Sequence, residues 1–379
     1  MMLVAGILAA HAQTYTVIHS FSGAEGAYPD AGLTMDKAGN FYGTASFGGT
    51  ADMGTVFKLA HAGSGWTVLP LYSFANDGDG ANPLAPVTIG PDGSLFGTTI
   101  GYYDDQGTLF NLRPLPTRPP TPLTPWTLKV LTTFTGQNGD QPVYGRLIFD
   151  SAGNLYGTTQ FGGSYQFFGV VYEASPYGNG WQENVLYSFD LPTNGPLSGV
   201  VMDPAGNLFG TTGDGSAIFE LSPSGSGWVG TILHTFGGRG DGFLAYGGLV
   251  RDTAGNLYGA TSDGSPGNGG VVYELSPYGD SWTYQIIYRL VGSQGPFGEL
   301  TLDAAGNLYG LAKGDGSYDA GLLFELTPSN GSWIFTDLHD FHTESFPYGN
   351  VTIDADGNLW GTASAGGAYG KGAIWEVTP

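Results

Sequence analysis

The sequence predicts an all-β protein, a seven-bladed β-propeller with four-stranded blades, and three observations carry that prediction. A turn motif of the form Asp-x-x-Gly-Asn-Leu-Tyr-Gly recurs seven times, starting at Asp36, Gly90, Asp150, Asp203, Asp252, Asp303 and Asp354. Its closing glycines, from Gly43 to Gly361, stand 49 to 60 residues apart, a period typical of repeated β-units. The last repeat ends after its third strand-like run, and the missing fourth run stands alone at the N-terminus.

In chain order, residues 1–12 read MMLVAGILAAHA, an apolar run closing on the small-x-small pattern Ala10-His11-Ala12. This suits the signal peptide of an exported protein, although the basic start of such a segment is missing. The expected location is therefore secreted, periplasmic or cell-surface. Residues 13–379 are expected to form one propeller, with blades at 22–74, 75–134, 135–189, 190–236, 237–290, 291–341 and 342–379, the last completed by 13–21.

The fifth repeat shows the unit clearly: GGLVRD, NLYGATS, GGVVYELSP and WTYQIIYRL are strands A, B, C and D. Alternating apolar residues, rich in β-branched and aromatic types, support each strand. Asp-x-x-Gly-Asn joins A to B as a tight turn, glycine taking positive φ while Asp and Asn bond neighbouring amides. Six of the eight tryptophans open strand D, a fixed position that points to packing rather than to ligand contact. In the second repeat, RPLPTRPPTPLTPW interrupts the C-to-D turn, and its prolines predict an exposed loop. TYTVIHSF, near the N-terminus, is the missing D strand. Pairing it with GAIWEVTP would remove two open sheet edges and close the ring.

Composition sets outer limits on function. With 33 acidic and 11 basic residues the net charge is -22, which repels nucleic-acid phosphates and anionic lipid. No nucleic-acid partner and no membrane insertion are expected, and the expected state is a monomer. The chain has no cysteine, which removes disulfides, thiol nucleophiles and cysteine metal sites.

The repeats, with GNLYGTT followed by a Gly-rich loop and VYELSP, resemble the Gloeobacter/Verrucomicrobia tandem-repeat family of exported bacterial proteins. The resemblance implies the fold and an extracellular address, but no established reaction. Members often carry a C-terminal sorting anchor. The sequence ends at Pro379 inside its last strand set, so a freely secreted or periplasmic product is expected.

The A-to-B and C-to-D turns are uniform, whereas the D-to-A and B-to-C loops on the opposite face vary, which marks the second face as functional. Three residues before strand A stand Tyr144, Tyr246, Phe297 and Tyr348, with Asp30, Leu84 and Leu197 in the other blades. Arg146, Glu299 and Asn350 replace the usual glycine one residue before the strand. As strand A is innermost, these groups should ring the mouth of the central channel. Aromatic faces beside a few polar groups suit a sugar or peptide, while rings wedged between blades would be purely structural.

Other candidates are weaker. Asp77 and Asp79 in NDGDGAN come nearest to a calcium loop but lack its spaced ligands, so a solvated turn and no cofactor are expected, with calcium at that turn the alternative. Arg239-Gly240-Asp241 spells an adhesion tripeptide in a glycine-rich chain and is read as coincidence. His19, His234 and His339 share one outer D-strand position, too dispersed for an axial metal or acid-base site. The strand C glutamates also spread around the ring, which leaves Asp30 and Glu299 as the candidate carboxylate pair. The leading expectation is non-catalytic recognition of glycan or protein. A lyase or glycosidase using mouth carboxylates, and a structural matrix protein, are the alternatives.

Overall fold

Seven antiparallel sheets follow one another along the chain, each holding strands A to D in spatial order. The structure, a computed structural model, describes residues 13–378 except 64, 103–105, 116–124, 166, 191–194, 214–216, 226, 239, 266–268, 280 and 344–345. The expected signal segment, most of the proline-rich insert and Arg239 lie outside the described residues. In blade five the strands are Val250–Arg251, Leu257–Ala260, Val271–Tyr278 and Ser281–Arg289. Strand A is only two residues long in every blade.

The ring closes as the strand count required. Thr14–Ser20 pairs antiparallel with Ala373–Thr378, from Thr14 opposite Thr378 to Ser20 opposite Ala373. This pairing carries a bulge between Val17 and His19, and the D strands of the other six blades bulge at the same place. Thr352 Oγ1 donates to Leu33 O at 2.6 Å and Thr362 Oγ1 to Ala31 O at 2.7 Å, tying blade seven to blade one. The same two threonine bonds join other neighbours, as in Thr34 to Val87 O and Thr44 to Ala85 O.

The repeated motif has a physical reason at each residue. Asp150 Oδ1 accepts from Ala152 N at 2.9 Å and Asn154 N at 2.8 Å, while Asn154 Nδ2 reaches Asp150 Oδ2. Gly153 supplies the left-handed turn at φ 88°. The closing glycine is needed for a different reason, close approach. A Cβ on Gly157 would lie 2.4 Å from the Tyr172 hydroxyl, and one on Gly361 2.2 Å from Trp375. Strand B thus passes directly over the buried aromatic ring of strand C.

The core lies between blades. Each D-strand tryptophan packs on the strand B aromatic of the preceding blade, as in Trp181 on Phe96, Trp282 on Phe209 and Trp333 on Tyr258. Trp66 packs on Trp360 and so crosses the closure. Outer rings clasp adjacent D strands: His234 stacks on Tyr284, Tyr288 on Phe335 and His339 on Tyr15, with centroids 3.8 to 4.3 Å apart.

Candidate functional site

The strand directions put all D-to-A and B-to-C loops at one end of the ring. The two sets are joined there by single bridges, including Ala27 with Phe47 and Phe243 with Asp263. Eleven aromatic rings are exposed among the described residues, and nine of them stand on this face: Tyr28, Phe47, Tyr144, Tyr165, Phe167, Phe243, Tyr318, Phe346 and Tyr369. Only Tyr177 and Tyr278 belong to the opposite face, which makes the variable loops the sticky end of the molecule.

At the centre of that face the predicted residues meet. One small axial pocket is lined by Asp30, Leu84, Tyr144, Tyr246, Phe297, Glu299, Tyr348 and Asn350, together with glycines of the same loops. Leu197 is not among its lining; its neighbour Ser198 is. The pocket measures about 30 Å³, enough for a water molecule or two. Its narrowness comes from a glycine collar. A Cβ on Gly247 would meet Gly298 O at 2.4 Å, on Gly298 Gly349 O at 2.2 Å, and on Gly349 Gly32 N at 2.2 Å. Consecutive loops therefore touch backbone to backbone, and a ligand must lie across the mouth rather than enter it.

The rings in the pocket are not equivalent. Tyr246 stacks on Phe297 with centroids 4.8 Å apart, and Phe297 meets Tyr348 edge-on at 5.6 Å. Tyr144 stands apart and is the most exposed of the four, at 42%. Its loop explains why: Pro142 lies five residues before Leu147, whereas Pro29 lies four before Leu33, so blade three has one residue more. The extra residue puts Tyr144 at φ 29° and lifts it from the collar.

Polar groups fill the gaps between the rings. Asp30 accepts a hydrogen bond from Ser46 Oγ at 2.7 Å, and burial pushes its carboxyl up to about 6 despite that bond. Burial, the Asp30 charge and the neighbouring Tyr348 and Tyr246 raise the Tyr144 hydroxyl. Below the collar a channel of about 920 Å³ runs between the A strands. Arg146 and Glu299 roof it: Nε and Oε2 are 3.7 Å apart, reaching from blade three to blade six, as far apart as seven blades permit. Burial raises the Glu299 carboxyl and Arg146 opposes the rise. Asp30 and Glu299 share the pocket but have separate partners, Ser46 and Arg146, so they are not joined as a hydrogen-bonded pair.

Lys313 was not foreseen from the sequence. Its ammonium lies 4.7 Å from the Tyr348 ring centroid, 5.0 Å from Phe297 and 5.4 Å from Phe346. In blade six Gln294–Pro296 adds to the sheet and strand B runs on to Gly314, which carries Lys313 up to the mouth. The signal was available: this repeat position holds Ser46, Ile100, Gln160, Gly213, Ser262 and Ser364 elsewhere, so Lys313 is its one charged residue.

The other candidates have local partners. Asp79 is 8% exposed and accepts from Tyr72 Oη at 2.9 Å and from Ala75 N. Asp77 stands beside it, and no group of three potential metal ligands forms among the described residues. His19 bonds Glu25 at 3.0 Å and His234 lies 3.3 Å from Asp241, the same outer contact made twice. Asp241, of the tripeptide, also accepts from Gly237 N at 2.7 Å. Glu173, Glu274 and Glu325 take contacts from Tyr156, Tyr258 and Tyr309 across strands B and C, away from the mouth.

A sequence profile of the Gloeobacter/Verrucomicrobia repeat matches residues 196–379. Residues 196–379 carry this repeat. The same turn and strands occur upstream of residue 196, in blades one to three. No curated protein matches in sequence. Among solved structures, the extracellular domain of a protein described as a one-component system from B. thetaiotaomicron aligns at TM-score 0.58 and 13% identity, over 95% of this chain and 39% of that chain. A fungal alcohol oxidase of the AA5 family, in complex with copper, aligns at TM-score 0.56 and 14% identity, over 97% and 76%. A protein described as a 6-phosphogluconolactonase from Bacteroides uniformis aligns at TM-score 0.53 and 13% identity, over 82% and 84%. At these identities the likeness is one of fold.

Proposed function

We propose that the protein is an extracellular recognition module that binds glycan across the D-to-A and B-to-C loop face, centred on the axial pocket. The observation that carries this reading is that nine of the eleven exposed aromatic rings among the described residues stand on that face, with Tyr144 lining the axial pocket beside Asp30. Sugars present C–H faces that stack on such rings and hydroxyls that bond carboxyl, amide and phenol groups. The collar favours binding over enclosure, because a pocket of about 30 Å³ cannot surround a sugar ring. A glycan array probed with residues 13–379, with calcium and with chelator, tests the reading. Binding lost on Tyr144→Ala supports it, and failure to bind any glycan sinks it.

A second reading rests on Asp30, whose carboxyl near 6 lies in the range of a general acid. A lyase or glycosidase would then release unsaturated products or new reducing ends from polysaccharide. Their absence across a polysaccharide panel would remove this alternative.

A further inference from the structure

Lys313 is placed where a structural lysine would be hard to justify. The chain has 11 basic residues against 33 acidic ones, so a cation is expected to find a carboxylate partner. This ammonium instead faces the rings of Phe297, Phe346 and Tyr348. Among the described residues no carboxylate lies within ion-pairing distance of it, the ion pairs being His19 with Glu25, Arg146 with Glu299 and His234 with Asp241. Arg146, the other mouth cation, is committed to Glu299 below the collar. Ring faces attract a cation without neutralising it and leave its N–H donors free for a partner. Phe297 and Tyr348 also line the axial pocket, so the charge stands at the pocket edge.

We infer that the axial mouth holds an anion subsite in which Lys313 pairs with the carboxylate of a uronate residue while the neighbouring rings stack on the sugar. This rests on the glycan-recognition reading and narrows it. The surrounding loops select against a polyanion, since Asp52, Asp263, Asp315 and Asp319 stand on the same face and the whole molecule carries -22. A saccharide with one isolated carboxylate, such as a chain ending in uronate, meets Lys313 at the axial mouth without crossing the negative rim.

The test uses oligosaccharides in matched pairs, neutral and oxidised at C6 of the terminal sugar: glucose with glucuronate, galactose with galacturonate, mannose with mannuronate. Affinities are measured by calorimetry on residues 13–379. The wild type should prefer the uronate of at least one pair about tenfold, and the preference should shrink between about 0.05 M and 0.5 M salt. Lys313→Met keeps the apolar stem on the rings, and should bring the uronate-to-neutral ratio to about one. Lys313→Arg should keep it above one. Equal binding of both members of every bound pair overturns the subsite and leaves glycan recognition standing, whereas no binding of any member overturns both. A preference that survives Lys313→Met, or that ignores salt in the wild type, also overturns it. The salt series needs no variant, so it decides even if Lys313→Met folds poorly.

Discussion

Tyr144 and Phe297 occupy matching repeat positions, yet their surroundings give them different jobs. Tyr144 is lifted from the collar by one extra loop residue, so Tyr144→Ala should weaken glycan binding by about 1 to 3 kcal/mol while the melting temperature moves by no more than about 2 °C. Phe297 is held by Tyr246, Tyr348 and Lys313. Phe297→Ala should cost about 2 to 3 kcal/mol of stability, somewhat under the range for a fully buried ring. Urea melts beside binding isotherms check both, and a stability loss on Tyr144→Ala as large as on Phe297→Ala would show that both rings are wedges. Asp30 gives a pH signature. Its carboxyl is raised from 3.8 to about 6 by burial, so the folded state binds the proton more tightly than the unfolded chain. Its contribution to stability is therefore greatest below about pH 4 and is lost as pH rises to about 6. Asp30→Asn retains an acceptor for Ser46 and carries no charge. Its melting temperature relative to wild type should rise between pH 4 and pH 7, and a constant difference would mean that Asp30 titrates normally.

At the scale of the element, the B strand shows how a repeat motif is held by packing as well as by its turn. All seven closing glycines sit over a strand C aromatic, and a Cβ on Gly210 would lie 2.6 Å from the Phe219 ring and 3.2 Å from Val200. Gly210→Ala forces the ring or the strand to move and should destabilise by about 1 to 3 kcal/mol, read as a lower urea midpoint at unchanged slope. Its turn neighbour Gly206 is required for φ 90° instead, and has open space where a Cβ would stand. The two glycines of one motif are thus fixed by different forces, crowding at one and backbone handedness at the other.

The whole molecule depends on its closure. Thr14–Ser20 completes the last sheet, Trp66 and Trp360 pack across the seam, and Thr352 and Thr362 bond over it. Removing residues 13–22 strips one strand, exposes the edge of Ala373–Thr378 and takes away the fully buried Phe21, which packs on Phe57. The truncated chain should lose its cooperative unfolding transition and aggregate. A truncated protein melting within a few degrees of the parent would show that six and three-quarter blades suffice.

Blade number, strand order and closure were legible in the sequence because they follow from local rules: a turn chemistry repeated seven times, a last repeat short of its fourth strand and one spare strand at the N-terminus. The mouth residues were legible too, since register relative to strand A fixes which positions reach the axis, and Asp30, Tyr144, Tyr246, Phe297, Glu299, Tyr348 and Asn350 do meet in one pocket. What lies between them was decided only by the ring. Arg146 reaches Glu299 from the far side of the axis, Lys313 meets one ring of its own blade and two of the next, and glycine backbones of consecutive loops close the throat, all of them contacts that depend on how the blades seat against one another. Periodicity specifies how each blade pairs within itself; which side chains face one another across the axis is set by the radius and number of the blades, and exists only once the ring has shut.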